Sequence, residues 1–207
     1  MNNFFCIIIL LFSFSCKNEQ ATPLANITET ASTKQTASVQ DPYQEYDLLF
    51  KENPQYISFD FDYPIGKPDG KGYYNAQKFL ENNHLGDDWN GVGGGNTDLG
   101  DPIYAIANGY VSFSDTIGGG WGNVIRIIHR FKDKYYESIY AHCDSLLIEK
   151  GDFVKKGVQI GTIGNVGGIY WAHLHFEVRD NIFMEIGNGY SIDSKGYIDP
   201  TEFINKN

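Results

Sequence analysis

Residues 123–130, NVIRIIHR, and 135–142, YYESIYAH, alternate along their whole length. Side chains two apart on a strand share a face, so Ile125, Ile127 and His129 form one row and Tyr136, Ser138, Tyr140 and His142 another. Working outward, AHLHFEV (172–178) reads as a further strand, and FVKKGVQIGTI (153–163) as short strands around Lys155-Lys156-Gly157. Asn108-Gly109, flanked by Tyr104–Ala107 and Tyr110–Phe113, carries the strongest short hairpin signal. A helix is expected only over residues 75–82 and after Asp199-Pro200. Short strands recurring every 8–12 residues predict an all-β domain: an antiparallel sheet or sandwich core with at most one or two short helices.

Composition agrees. The chain has 207 residues, 23 glycines and only 2 methionines, and 15% of it is aromatic, a balance that favours strands and turns. Its formal charge of -10 excludes an electrostatic nucleic-acid binder. At the N-terminus, the apolar run 4–14 falls short of the roughly 20 residues a membrane span needs, but suits the core of a secretory signal. Residues 1–15 are expected to be a signal peptide with a lipobox-like end, and Cys16 to be acylated and to anchor the chain in a membrane. Residues 16–45 lack apolar surface and are expected to form a disordered tether, with the folded domain over 46–207. With Cys6 removed and Cys16 lipidated, Cys143 has no partner, and the fold must stand without disulfides.

The five histidines are 84, 129, 142, 173 and 175. His173 and His175 share one face of a strand while Leu174, Phe176 and Val178 face the core. His84 and Asp88, four apart, fall on the same side of a helix or a strand, so both can reach one cation, and imidazole with carboxylate is a zinc-type donor set. Two histidines and one carboxylate with a position left open is the layout of catalytic zinc, and without an HExxH helix such a site must be built on strands. His129 reads as structural and Cys143 as a small buried apolar side chain. Glu177, on the histidine row, either orients a ligand or lies at the surface. Asp87 is read as solvated or as lying behind the ligands. The clusters Gly93–Gly95 and Gly118–Gly122 read as turns or as the walls of a groove.

Taken together, HLGDDW (84–89), GWGNVIRIIH (120–129), YAHCDSL (140–146), GDFVKKGVQIGTIG (151–164), HLHFEV (173–178) and IDPTEFI (198–204) resemble the lysostaphin/LytM-type zinc endopeptidases of peptidoglycan, from about residue 60 to the C-terminus. The resemblance implies one zinc ion held by His84, Asp88 and His175. It implies His142 and His173 as the catalytic pair, one taking a proton from the attacking water and the other stabilising the oxyanion. Tyr140 is a weaker candidate for substrate contact. The expected substrate is a peptide cross-link or stem peptide of peptidoglycan, met in the cell envelope of a bacterium, on the periplasmic side. A non-catalytic regulator of other wall hydrolases is the alternative. Val166–Trp171 departs from the family's usual Thr-Gly-Ser-like loop, so substrate preference is open.

Overall fold

A computed structural model describes residues 41–207, so the expected signal peptide, the expected acylation site Cys16 and residues 16–40 of the expected tether lie outside the described residues. Helix α1 (Gln44–Glu52) comes first. Ten strands follow: β1 (Tyr73–Gln77), β2 (Asp87–Gly91), β3 (Pro102–Tyr104), β4 (Gly109–Gly118), β5 (Gly122–Phe131), β6 (Lys134–Leu146), β7 (Phe153–Val154), β8 (Gln159–Ile163), β9 (Leu174–Arg179) and β10 (Tyr197–Ile198). Helix α2 (Pro200–Lys206) closes the chain. Every strand pairing is antiparallel. The sheet runs β1-β2-β9-β6-β5-β4-β7, with β10 added to β9, β8 to β6 and β3 to β8. The all-β expectation holds, and the helices are short, 9 and 7 residues. None among the described residues is long and apolar enough to cross a membrane.

The row of β9 does what its spacing predicts. Leu174, Phe176 and Val178 of β9 enter the main core with Ile125, Ile127 and Tyr140. Each such fully buried side chain contributes about 1.5–3 kcal/mol over an exposed one. The second row of β9 is buried as well, because the irregular segment around 182–190 lies over it: Arg179 donates to the carbonyls of Glu185 and Ile186.

Three local expectations yield to tertiary contacts. Asn108-Gly109 does not turn a hairpin: β3 pairs with β8, and β4 with β5 and β7. The Asn108 amide instead donates to the carbonyl of Ile57 at 3.1 Å and accepts from the Lys156 amide at 3.0 Å. Glycine is needed at 109 because a Cβ there would sit 2.5 Å from Ile127 Cγ2. Residues 75–82 are not a helix, since β1 pairs with β2 and the chain then turns through positive φ at Leu80, Asn82 and Asn83. Helix α1 lies partly within the expected tether. Phe50 packs it against Ile128 and Ile182, Tyr43 stacks on Tyr135, and the folded unit begins at Asp41. Helix α2 stands where expected, with Asp199 accepting the Glu202 amide at 2.9 Å and Pro200 opening its first turn.

Candidate metal centre and catalytic cleft

Strand register assembles the centre. Asp88 of β2 and Ala141 of β6 both lie opposite His175 of β9, so Asp88 and His175 share one side of the sheet. His84 arrives from the turn before β2 and bridges to Tyr190. Gly86 lets that segment lie against β9, where a Cβ would meet the Phe176 carbonyl at 2.5 Å. Three donor atoms then converge. His84 Nε2 is 2.9 Å from His175 Nδ1 and 3.3 Å from Asp88 Oδ1, and His175 Nδ1 is 3.0 Å from Asp88 Oδ1.

A metal fits this trio. Zinc bonds of about 2.0–2.1 Å at tetrahedral angles hold donors roughly 3.3 Å apart. His175 Nε2 sits 3.0 Å from Glu177 Oε1, an acceptor that holds a proton on Nε2, so Nδ1 is the nitrogen that would offer its lone pair to a metal. The other nitrogen of His84, Nδ1, is buried without a hydrogen-bond partner, so Nε2 carries what this imidazole can do. Charges agree with the geometry. Burial opposes ionisation of Asp88, yet hydrogen bonds and charge from His175 and His84 hold its carboxyl well below the usual range. Burial likewise opposes a charge on His175, but Asp88 and Glu177 outweigh it and raise its pKa to about 9. The pocket therefore favours positive charge at the convergence point.

The other two histidines edge the same point. His142 and His173 have ring centroids 4.7 Å apart, and His173 Nε2 is 3.8 Å from Asp88 Oδ1. Each turns Nδ1 to a backbone carbonyl, Trp121 for His142 at 3.3 Å and Trp171 for His173 at 2.8 Å. A carbonyl only accepts, so each Nδ1 carries hydrogen and each Nε2 is free to take a proton. Burial, with His175 and His173 nearby, lowers the pKa of His142 to about 3 and keeps it neutral.

His142 and Tyr140 do not share a face. Tyr140 lies opposite Phe176 and points into the core, fully buried, its hydroxyl accepting from the Ile106 amide at 3.1 Å and lying 3.1 Å from Ser138 Oγ. Strict alternation would send His142 the same way, but a positive φ of 61° turns it to the opposite side. Tyr140 is thus corrected from substrate contact to core residue. Asp87 is buried on the side away from the metal donors, accepting from the Phe79 amide and Thr201 hydroxyl, and burial raises its pKa. His129 is structural, as expected. The Asn108 carbonyl at 2.7 Å fixes its Nδ1 proton, and its Nε2 meets Ser138 Oγ at 2.7 Å. Cys143 is free and buried, its thiol pushed up to about 12 by burial, and no metal donor set among the described residues includes it.

A cleft of about 440 Å³ opens over the donors, bordered by Gly120, Trp121, Tyr170 and Tyr190. A second, of about 500 Å³, shares Tyr170 and His173 with it and is walled by Ile169 and Trp171, which is 67% exposed. Gly118–Gly122 is thus both turn and wall: three of its residues take positive φ, and at Gly120 a Cβ would come 2.6 Å from the Tyr170 hydroxyl. Gly93–Gly95 lies outside the cleft over the donors. Tyr190 and the neighbouring Asn188 and Gly189, also in the wall, carried no pattern in the sequence; the bridge from Tyr190 to His84 and the bond from the Leu85 amide to Gly189 bring them in.

The profile of peptidase family M23 matches residues 88–193, just over half the chain. The chain belongs to this family. Among M23-like relatives, Lipoprotein NlpD of Yersinia enterocolitica is 41% identical over 80 residues, 39% of this chain and 78% of that protein. The Murein hydrolase activator NlpD of Escherichia coli is 39% identical over 80 residues, 39% of this chain and 20% of that protein. The Peptidoglycan DD-endopeptidase ShyB of Vibrio cholerae is 35% identical over 82 residues, 40% of this chain and 18% of that protein. For the last two, the chain matches a fifth or less of the relative's length. The M23 fold is shared with lysostaphin of Staphylococcus simulans, at a TM-score of 0.52 and 24% identity over 70% of this chain and 54% of that one.

Proposed function

We propose that the chain is a zinc-dependent endopeptidase acting on peptide cross-links or stem peptides of peptidoglycan, exported and held to a membrane of the bacterial envelope by lipid at Cys16. The observation that carries the reading is the convergence of His84 Nε2, Asp88 Oδ1 and His175 Nδ1 beside His142 and His173 in one cleft. Zinc held by these donors would act as a Lewis acid and make water a stronger nucleophile. His142 or His173 takes the proton of the attacking water at Nε2 and passes it to the leaving amine. The other imidazole would stabilise the oxygen on which negative charge develops, donating to it when its own Nε2 is protonated. Trp121 and Tyr170 border the cleft and limit how the peptide enters. Similarity to ShyB supports a peptidoglycan substrate, and similarity to Lipoprotein NlpD supports the lipid anchor.

A second reading, a regulator of other wall hydrolases, is favoured by similarity to the murein hydrolase activator. Purified protein incubated with peptidoglycan sacculi, with and without a chelator and alongside His175→Ala, separates the two. Metal-dependent release of peptide fragments is the expected result. Well-folded, zinc-loaded protein that releases none would sink the enzyme and favour the regulator.

A further inference from the structure

Behind His175 runs a line of buried charges that catalysis does not use. Glu177 takes His175 Nε2 on one oxygen and Arg179 on the other, with Arg179 Nη2 at 2.7 Å and Nε at 3.0 Å. Arg179 also lies 3.8 Å from Glu137, which Arg126 grips at 2.8 and 2.9 Å. Glu177, Arg179 and Glu137 are at most 1% exposed. Apolar side chains of similar size would stabilise such a face as well or better, because taking ions out of water offsets their attraction. What charges supply that apolar groups cannot is directed bonds.

Those bonds have two ends. One is the imidazole of His175. The other is the backbone of the segment covering the sheet: Arg126 donates to the Met184 carbonyl at 2.8 Å, and Arg179 to those of Glu185 at 3.0 Å and Ile186 at 2.7 Å. The next residues wall the cleft. Gly187 accepts from Trp121 Nε1 at 3.1 Å, Gly189 accepts from the Leu85 amide at 2.9 Å, and Tyr190 bridges to His84.

We propose that Arg179 is a positioning residue that, through Glu177, ties the orientation of His175 to the placement of segment 184–190, whose last three residues wall the cleft. Metal at the centre and order in the wall are then coupled. This rests on the metal-site reading of His84, Asp88 and His175. Arg179→Lys keeps the charge but loses the planar fork that holds a carboxylate and two carbonyls at once. Glu177→Gln is isosteric and cuts the line at its other end.

The readouts are zinc affinity by chelator competition and amide hydrogen exchange of 184–190 with and without saturating zinc. In the wild-type protein zinc should slow exchange in that segment. Glu177→Gln should bind zinc roughly 10–100-fold more weakly. In Arg179→Lys, zinc should still bind yet no longer slow exchange there, a result that a merely structural arginine would not give. Should Arg179→Lys not fold, Glu177→Gln decides alone, since saturating zinc must then leave exchange in 184–190 unchanged. Wild-type zinc affinity in Glu177→Gln, or equal slowing in variant and wild type, would overturn the coupling. Wild-type protein that takes up no zinc would bring down the metal-site reading itself, and the coupling with it.

Discussion

His129 and His175 are the same side chain in nearly the same wrapping, 0% and 4% exposed, each on a central strand of one sheet. Their chemistry is opposite. His129 faces a carbonyl and a hydroxyl, and burial lowers its pKa to about 4. Burial acts the same way on His175, but two carboxylates outweigh it and its pKa rises to about 9. Depth therefore does not make a histidine structural or functional. Its partners do: neutral ones leave a strut that stays uncharged at neutral pH, whereas Asp88 and Glu177 create a place that attracts a cation.

The comparison breaks first at the ligand. His175→Ala should lose zinc by more than the roughly 10–100-fold that loss of an outer partner costs, while His129→Leu leaves zinc binding unchanged. Metal analysis after dialysis against a weak chelator measures both, and zinc retained by His175→Ala would end the ligand assignment.

The histidines beside the donors come next. His142→Ala and His173→Ala should each keep zinc and lose about 10²–10⁴-fold in turnover of a peptide substrate. Wild-type turnover in either would remove that residue from the mechanism.

A third effect belongs to His129 alone. Its proton is held less well in the folded chain than in the unfolded one, so stability is complete above about pH 6.5 and is lost on acidification. The loss should reach about 3 kcal/mol by about pH 4. Urea titrations over this range, compared between wild type and His129→Leu, isolate the contribution; parallel pH profiles would refute it.

The smallest effect sharpens the correction at Tyr140. Tyr140→Phe removes one hydroxyl from the core and should cost about 1 kcal/mol in urea unfolding with turnover unchanged. A fall in turnover at unchanged stability would return Tyr140 to the cleft.

Much of this was legible in the residues. Alternation in 123–130 and 135–142 is a local property of extended chain, so the β class, the core row Leu174, Phe176 and Val178, and the shared side of His173 and His175 follow from spacing alone. The trio His84, Asp88 and His175 was legible because its donor types and the family-like order of its motifs stand in the chain itself.

What spacing could not reach was settled by contacts between distant segments. A positive φ at His142 interrupts the alternation and separates it from Tyr140, a backbone state no side-chain pattern announces. Asn108-Gly109 has the composition of a hairpin turn, but close approach of Ile127 to Gly109 and the bonds of Asn108 to Ile57 and Lys156 give it another use. Glu177 stood equally for surface or support until residues 184–190 were laid over it. The sequence by itself determined which side chains share a row wherever a strand runs regularly, because that depends only on neighbours along the chain. Which rows are covered, and by which carboxylates and carbonyls, only the tertiary structure decided, because burial and pairing depend on residues far apart in sequence.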